Sequence, residues 1–118
     1  MIYKDKGLIY SEYVLDFLNR SDISYDNKLS IKAETFYNCR EQGYVFNIHN
    51  KNYSDKLYVW VYAHRNSDEP TIVWGKDIEF NNMFTEDDWN KHQKTYANIE
   101  NAVIYVEKII KENIKECE

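Results

Sequence analysis

The sequence predicts an α+β domain in which an antiparallel sheet of about four strands packs against an N-terminal helix and C-terminal helices. Apolar residues recur at helical spacing near both ends of the chain, and they alternate in between. The links between the alternating segments are too short for the crossover that parallel strands need. The chain has 118 residues, the size of one domain with one core, so residues 1–118 are taken as a single domain. Helices gathered on one face of such a sheet predict two layers.

The first helix is predicted from about Leu8 to Asn19. Its apolar residues recur at three- and four-residue spacing and form one stripe: Ile9, Tyr10, Tyr13, Val14, Phe17 and Leu18. Gly7 lies before it, and the charge of Arg20 suits the negative end of the helix dipole.

Four strands are predicted from alternating apolar residues. The predicted segments are Leu29 to as far as Cys39, Tyr44–His49, Leu57–His64 and Thr71–Gly75. Gln42–Gly43 and Asn50–Asn52 are predicted turns, and the polar run from His64 to Pro70 is a predicted hairpin loop.

Two helices are predicted after the strands. Thr85 resembles an N-cap followed by acids in the first turn, and this short helix is expected to fade near Tyr96. Asn98 is placed to cap the last helix, whose apolar stripe is continuous. That stripe comprises Ile99, Ala102, Val103, Val106, Ile109, Ile110 and Ile114.

The third predicted strand is apolar on both faces. Aliphatic residues from Leu57 to Ala63 point one way, and the rings of Tyr58, Trp60 and Tyr62 point the other way. The rings could be core covered by the N-terminal helix, a half-exposed surface, a small-ligand pocket, or an interface with a partner or a second copy in a homodimer. Tyr and Trp are enriched at binding hot spots, so the three rings and Trp74 are candidate partner contacts.

Acidic residues are concentrated in residues 68–88. Seven acids lie there against Lys76 alone: Asp68, Glu69, Asp77, Glu79, Glu86, Asp87 and Asp88. This segment holds the whole excess of the net charge of −5. An acidic surface repels phosphate and attracts cationic partners, so nucleic acid is disfavoured as a ligand. A solvated loop and a helix start explain the same acids.

No pattern predicts a catalytic site, a metal site or a cofactor. An alternative is a small enzyme or ligand-binding domain centred on His64 and Arg65, but the turn-forming residues after them favour a hairpin loop. His92 follows Asp88 at helical spacing without a third partner, and no Gly-rich phosphate loop is present. The spacing of Cys39 and Cys117 suits neither a disulfide framework nor zinc. With no signal-like or membrane-length apolar run, the chain is expected to be cytoplasmic, without membrane contact.

The acidic segment, the strand Tyr58–Tyr62 and the small α+β layout give a chain that resembles the immunity proteins of contact-dependent growth inhibition systems. The resemblance implies an inhibitor without enzymatic activity, whose acidic surface covers a basic toxin domain, often a nuclease. It would put six acids against the toxin's cations, with Tyr62 and Trp74 as anchors: Asp68, Glu69, Asp77, Glu79, Asp87 and Asp88. Phage-encoded inhibitors of bacterial defence systems share this profile and remain an alternative.

Overall fold

The computed structural model describes residues 5–20, 29–38, 41–50, 56–76 and 84–113. In chain order the elements are α1 (Lys6–Arg20), β1 (Leu29–Asn38), β2 (Glu41–Asn50), β3 (Lys56–Ala63), β4 (Pro70–Lys76), α2 (Glu86–His92), β5 (Gln93–Thr95) and α3 (Ile99–Asn113). The predicted α+β class is confirmed. Among the described helices, none is both long and apolar enough to span a membrane.

The sheet has five strands in the order β1-β2-β3-β4-β5, and every neighbouring pair is antiparallel. The four predicted strands are present, whereas β5 was not predicted. The short helix was expected to continue toward Tyr96, but it ends at His92, and Gln93 is already extended. Strand β5 has three residues, too few to show an alternating pattern, and it is fixed by pairing with Thr71–Val73 of β4.

The turn predicted at Gln42–Gly43 is wrong, because both residues lie inside β2 and pair with Tyr37 and Phe36 of β1. The link between these strands falls at residues 39–40, outside the described residues, and so does the prediction for Cys39. A glycine is needed here because the chain at Val61 approaches closely: a Cβ at Gly43 would lie 1.7 Å from the carbonyl oxygen of Val61. A glycine that makes room between strands looks the same in sequence as one that makes a turn.

Helix α1 is joined to the sheet through the buried hydroxyl of Ser11. The backbone N–H of Tyr44 donates to this oxygen at 2.8 Å. The carbonyls of Gly7 and Val61, at 2.7 and 2.8 Å, are acceptors for its single hydrogen. Pairing between β2 and β3 ends at Val45 and Trp60, so it stops one residue short of Tyr44. The hydroxyl therefore bridges the two strands where their own ladder stops.

The sheet has two apolar faces, and each is covered. Helices α1 and α3 pack on the aliphatic face, which includes Phe46, Val59 and Ile72. The second face, here called the aromatic face, is formed by Val45, Tyr58, Trp60, Tyr62 and Val73, with Phe36, Phe84 and Trp89 packed against them. Because Trp89 belongs to α2, the arrangement has three layers, and the predicted two layers are corrected.

Helices α2 and α3 begin as the sequence indicates. The Thr85 hydroxyl accepts a hydrogen bond from the Asp88 backbone N–H, and the Asp88 carboxylate accepts one from Thr85, which is a capping box. The Asn98 side chain accepts from the Asn101 N–H at the start of α3. The buried stripe of α3 is the predicted one: Ala102, Val103, Val106, Ile109 and Ile110. Its expected continuation to Ile114 lies outside the described residues.

Candidate functional site

The rings proposed as partner contacts on β3 lie in the interior of the chain. Trp60 is 0% exposed and Tyr62 is 1% exposed, and Tyr58 is also buried. The rings of Trp60 and Tyr62 stack with centroids 3.9 Å apart, and the Trp89 ring meets Trp60 edge-on at 5.8 Å. Of the alternatives that the sequence left open for these rings, the structure shows the first: they are part of the core. The cover is α2 with Phe84, however, and not the N-terminal helix.

Two polar atoms associated with the aromatic face lack a partner. The indole N–H of Trp60 and the side-chain oxygen of Asn47 are buried without a hydrogen bond in the described part of the chain. The Tyr62 hydroxyl, in contrast, accepts a hydrogen bond from the Gln93 side chain. Burial raises the pKa of Tyr62 to about 12, so its hydroxyl stays protonated over the physiological range.

The predicted acidic contacts are divided between two elements. Asp68 and Glu69 lie in the β3–β4 turn, and Asp87 and Asp88 lie on α2, while Asp77 and Glu79 fall outside the described residues. No hydrogen bond or ion pair in the described part of the chain joins the two groups. Three of these acids have a basic neighbour, because Asp68 lies 3.8 Å from Lys6, Asp87 lies 3.9 Å from Lys91, and Asp88 lies 3.5 Å from His92. Part of their charge is therefore compensated within the chain.

His64 and Arg65 belong to the hairpin turn. The Asn66 N–H donates to Nδ1 of His64 at 3.2 Å, and the His64 N–H donates to the Glu69 carbonyl at 2.9 Å. Arg65 contacts Glu41 with both its backbone N–H and its guanidinium, at 3.2 and 3.4 Å. These bonds hold the loop in shape, as the turn-forming residues predicted. In the described part of the chain, the hydrogen bonds of His64 join it to backbone groups of the turn.

His92 and Trp74 meet at the β4 edge, one residue beyond the part that pairs with β5. Their rings stack with centroids 3.8 Å apart, and Nδ1 of His92 lies 3.2 Å from the Trp74 carbonyl oxygen. Strand β5 pairs with β4 only as far as Val73. The imidazole of His92 therefore covers the next residue along this edge, Trp74. Asp88 is the second neighbour of Nδ1, so the pair expected from helical spacing forms. Within the described ranges, no three His, Cys, Asp or Glu side chains are grouped to hold a metal ion.

An open cavity of about 320 Å³ lies beside the outer surface of α3. We call it the tyrosine cleft, and its lining consists of Tyr96, Asn101, Ile104, Tyr105 and Lys108. Ile104 is 67% exposed, the largest exposed fraction among the large apolar side chains of the described residues. The cleft thus offers apolar and aromatic surface to an incoming group.

The two tyrosines of the cleft are held by polar and cationic neighbours. Their ring centroids lie 5.4 Å apart, and Nζ of Lys94 lies 5.3 Å from the Tyr96 centroid and 5.6 Å from that of Tyr105. The indole N–H of Trp74 donates to the Tyr105 hydroxyl at 3.2 Å. Desolvation raises the pKa of Tyr96, and Tyr105 adds to the shift. The cleft therefore presents two tyrosine rings beside the ammonium group of Lys94.

The sequence contains one sign of this cleft. Ile104 is apolar but lies off the buried stripe of α3, between Val103 and Val106. Tyr96 and Lys94 carried no such signal, because their positions depend on β5. No protein-family model, curated protein or solved structure matches this chain. Its function is accordingly argued from the geometry of these sites.

Proposed function

We propose that this chain is a protein-binding inhibitor that engages its partner through the tyrosine cleft. The observation that carries the proposal is the exposed Ile104, which lines the cleft together with Tyr96 and Tyr105. Large apolar side chains that stand exposed beside aromatic rings are typical of protein contacts. Tyrosine adds contact area at low entropic cost and hydrogen-bonding capacity at its hydroxyl.

The chemistry of the cleft selects for a particular kind of segment on the partner. An apolar side chain would bury Ile104 and contact the two rings. A carboxylate beside it would meet Lys94, whose ammonium group is oriented over both rings, or Lys108 at the rim. The proposed contact is therefore a protein surface with an apolar residue next to an Asp or Glu.

We further infer that the inhibitor is of the immunity type and neutralises a toxin, a nuclease being the natural target, by covering its active surface. The net charge of −5 supports this inference, because it raises the rate at which a basic toxin domain is encountered. The contacts predicted for the acids from 68 to 88 remain a prediction.

The test compares two exposed isoleucines on helices. The purified chain, Ile104→Asp and Ile9→Asp are used as baits in a lysate of the native host, and captured proteins are quantified by mass spectrometry. A specific partner should bind wild type and I9D equally and should lose at least about tenfold in I104D, because a buried unpaired carboxylate costs more than about 1.4 kcal/mol. If the partner bound I104D and wild type equally, the cleft would not be its binding site.

The immunity form has a separate test. The captured partner is expressed alone and together with the inhibitor in a host that lacks both. Growth arrest by the partner, relieved by wild type and I9D but not by I104D, is the expected result. A partner that binds at the cleft and is harmless when expressed alone would leave protein binding standing and overturn the immunity assignment.

A further inference from the structure

The two edges of the sheet are unequal. At one edge, β5 has only three residues, and short edge strands of this kind limit pairing with other chains. At the other edge, β1 has ten residues and pairs through all of them with β2. No described strand pairs with the outer edge of β1. This strand therefore offers a ten-residue row of backbone groups to another strand.

The side chains of β1 carry one positive and one negative charge. Lys32 and Glu34 are both exposed and, being two positions apart, lie on the same face of the strand. Among the described residues, neither side chain takes part in a hydrogen bond or an ion pair. Their neighbours across the ladder on β2 are Asn47 and Val45, which carry no charge. Both charges are thus available to a strand added at the outer edge.

We propose that β1 pairs antiparallel with β1 of a second copy, about a twofold axis through Ala33. In that register each residue i meets residue 66 − i of the other copy, so Lys32 lies opposite Glu34 and Glu34 lies opposite Lys32. Directly opposed charges of opposite sign stabilise an antiparallel pair, and like charges destabilise it. Axes through Lys32 or Glu34 would oppose like charges, and an axis through Ile31 would place Lys32 opposite the uncharged Ser30. Among these registers, the one through Ala33 forms both ion pairs.

The same register also matches the uncharged side chains. Tyr37, which is 62% exposed, meets Leu29, and Ile31 meets Thr35. These pairs lie on the aliphatic side of the strand, as the register with β2 shows, because Ile31 is opposite Ile48 and Ala33 opposite Phe46. A second copy would therefore cover an exposed ring and extend the sheet to ten strands. The inference is independent of the tyrosine cleft, which lies at α3 and β5.

Charge reversal tests the register directly. The mass of the full chain is followed by sedimentation equilibrium for wild type, Lys32→Glu, Glu34→Lys and the double variant K32E/E34K. Wild type should dimerise, and each single variant should weaken the dimer by about tenfold or more, because it opposes like charges twice. The double variant restores both pairs with their signs exchanged and should dimerise as wild type does. I104D should also remain dimeric, which separates this result from that of the cleft.

Cysteine cross-linking tests the axis by a second route. In a background with Cys39→Ser and Cys117→Ser, Ala33→Cys places two thiols directly opposite each other, with Cβ atoms about 5 Å apart, and should form an intermolecular disulfide under mild oxidation. Thr35→Cys is the matched control, because the two residues 35 would lie four positions, or about 13 Å, apart. A wild-type chain that stays monomeric up to about 1 mM would overturn the proposal. The proposal would also be overturned by a dimer whose affinity is unchanged by the charge reversals, or by one that cross-links equally through the cysteines introduced at positions 33 and 35.

Discussion

The two faces of the sheet are covered in different ways. On the aliphatic face, two helices of 15 residues each bury a stripe of apolar side chains, and α1 is also hydrogen-bonded to the strands through Ser11. On the aromatic face, the cover described is Phe84 and the seven-residue helix α2, of which no residue is fully buried. Trp60 and Tyr62 are nevertheless 0% and 1% exposed.

The difference follows from the size of the side chains. Stacked rings bury large areas against each other, so a small cover excludes the remaining water. Trp60 contacts Tyr62 in a stack and Phe36 edge-on at 4.9 Å, both within the sheet itself. Aliphatic residues bury less area each and need a long helix above them. A short helix suffices where the strand supplies the rings, and the stability of that face should depend on very few residues.

Trp60→Ala should cause the largest loss of stability. Removal of a fully buried indole leaves a cavity and should lower the free energy of unfolding by about 3–5 kcal/mol. Its neighbour Val59 faces the aliphatic side and is equally buried, so Val59→Ala is the matched comparison, with a loss of about 2 kcal/mol. Urea unfolding of both variants measures the difference. Equal losses would mean that the aromatic face is loosely packed, against the comparison drawn above.

Alkaline pH should destabilise the aromatic face through Tyr62. Its pKa is about 12 in the folded chain against about 10 in the unfolded chain, so its contribution is present below pH 10 and is lost as the pH rises from 10 to 12. The loss is about 3 kcal/mol over that range. Tyr62→Phe should remove this part of the pH dependence, as measured by urea unfolding at pH 9 and pH 11.5. Tyr13→Phe, at an exposed position on α1, is the control and should keep the wild-type slope.

Ser11→Ala should weaken the attachment of α1 on the aliphatic face. The Tyr44 N–H would lose its acceptor in a buried site, at a cost of about 1–3 kcal/mol in unfolding free energy. Hydrogen exchange at the Tyr44 amide should accelerate at the same time. Ser67→Ala is the control, because that hydroxyl lies in an exposed turn and accepts one long bond of 3.4 Å. If both variants were equally stable, the bridge would contribute nothing to the fold.

Thr85→Ala should give the smallest loss and should act on α2. Loss of the N-cap hydroxyl costs about 1 kcal/mol and should speed hydrogen exchange of the α2 amides more than those of α3. Asp87→Asn removes an exposed ion pair with Lys91 from the same helix turn and should change stability by less than about 0.5 kcal/mol. Faster exchange in α3 as well would show that the two faces unfold together.

The elements predicted from sequence are those with a repeating pattern. Helix α1, strands β1 to β4 and the stripe of α3 each repeat over several residues, so a misread residue does not hide them. Strand β5 has too few residues for a pattern, and Gly43 is explained by the close approach of the Val61 carbonyl, which lies 18 positions away. The side of the sheet that α2 covers depends on Phe84 and Trp89 meeting Trp60, a contact between distant residues.

The candidate site was harder to predict than the fold, for the same reason. The rings of β3 have the composition of an interface, yet composition does not show that another element of the chain lies over them. The tyrosine cleft combines Tyr96, which follows β5, with Ile104 and Tyr105 of α3, so it depends on an element that the sequence did not indicate. Ile104 alone could have been identified, as an apolar residue off its helix stripe.

The Ser11 bridge has a consequence for how the chain is made. The serine leaves the ribosome long before its partners, since Tyr44 follows 33 residues later and Val61 follows 50 residues later. At about 5–20 residues per second, the wait for Val61 is about 3–10 s. During that interval the sheet on which the first helix packs is incomplete, so a nascent chain of this protein should need protection by chaperones until its third strand has emerged.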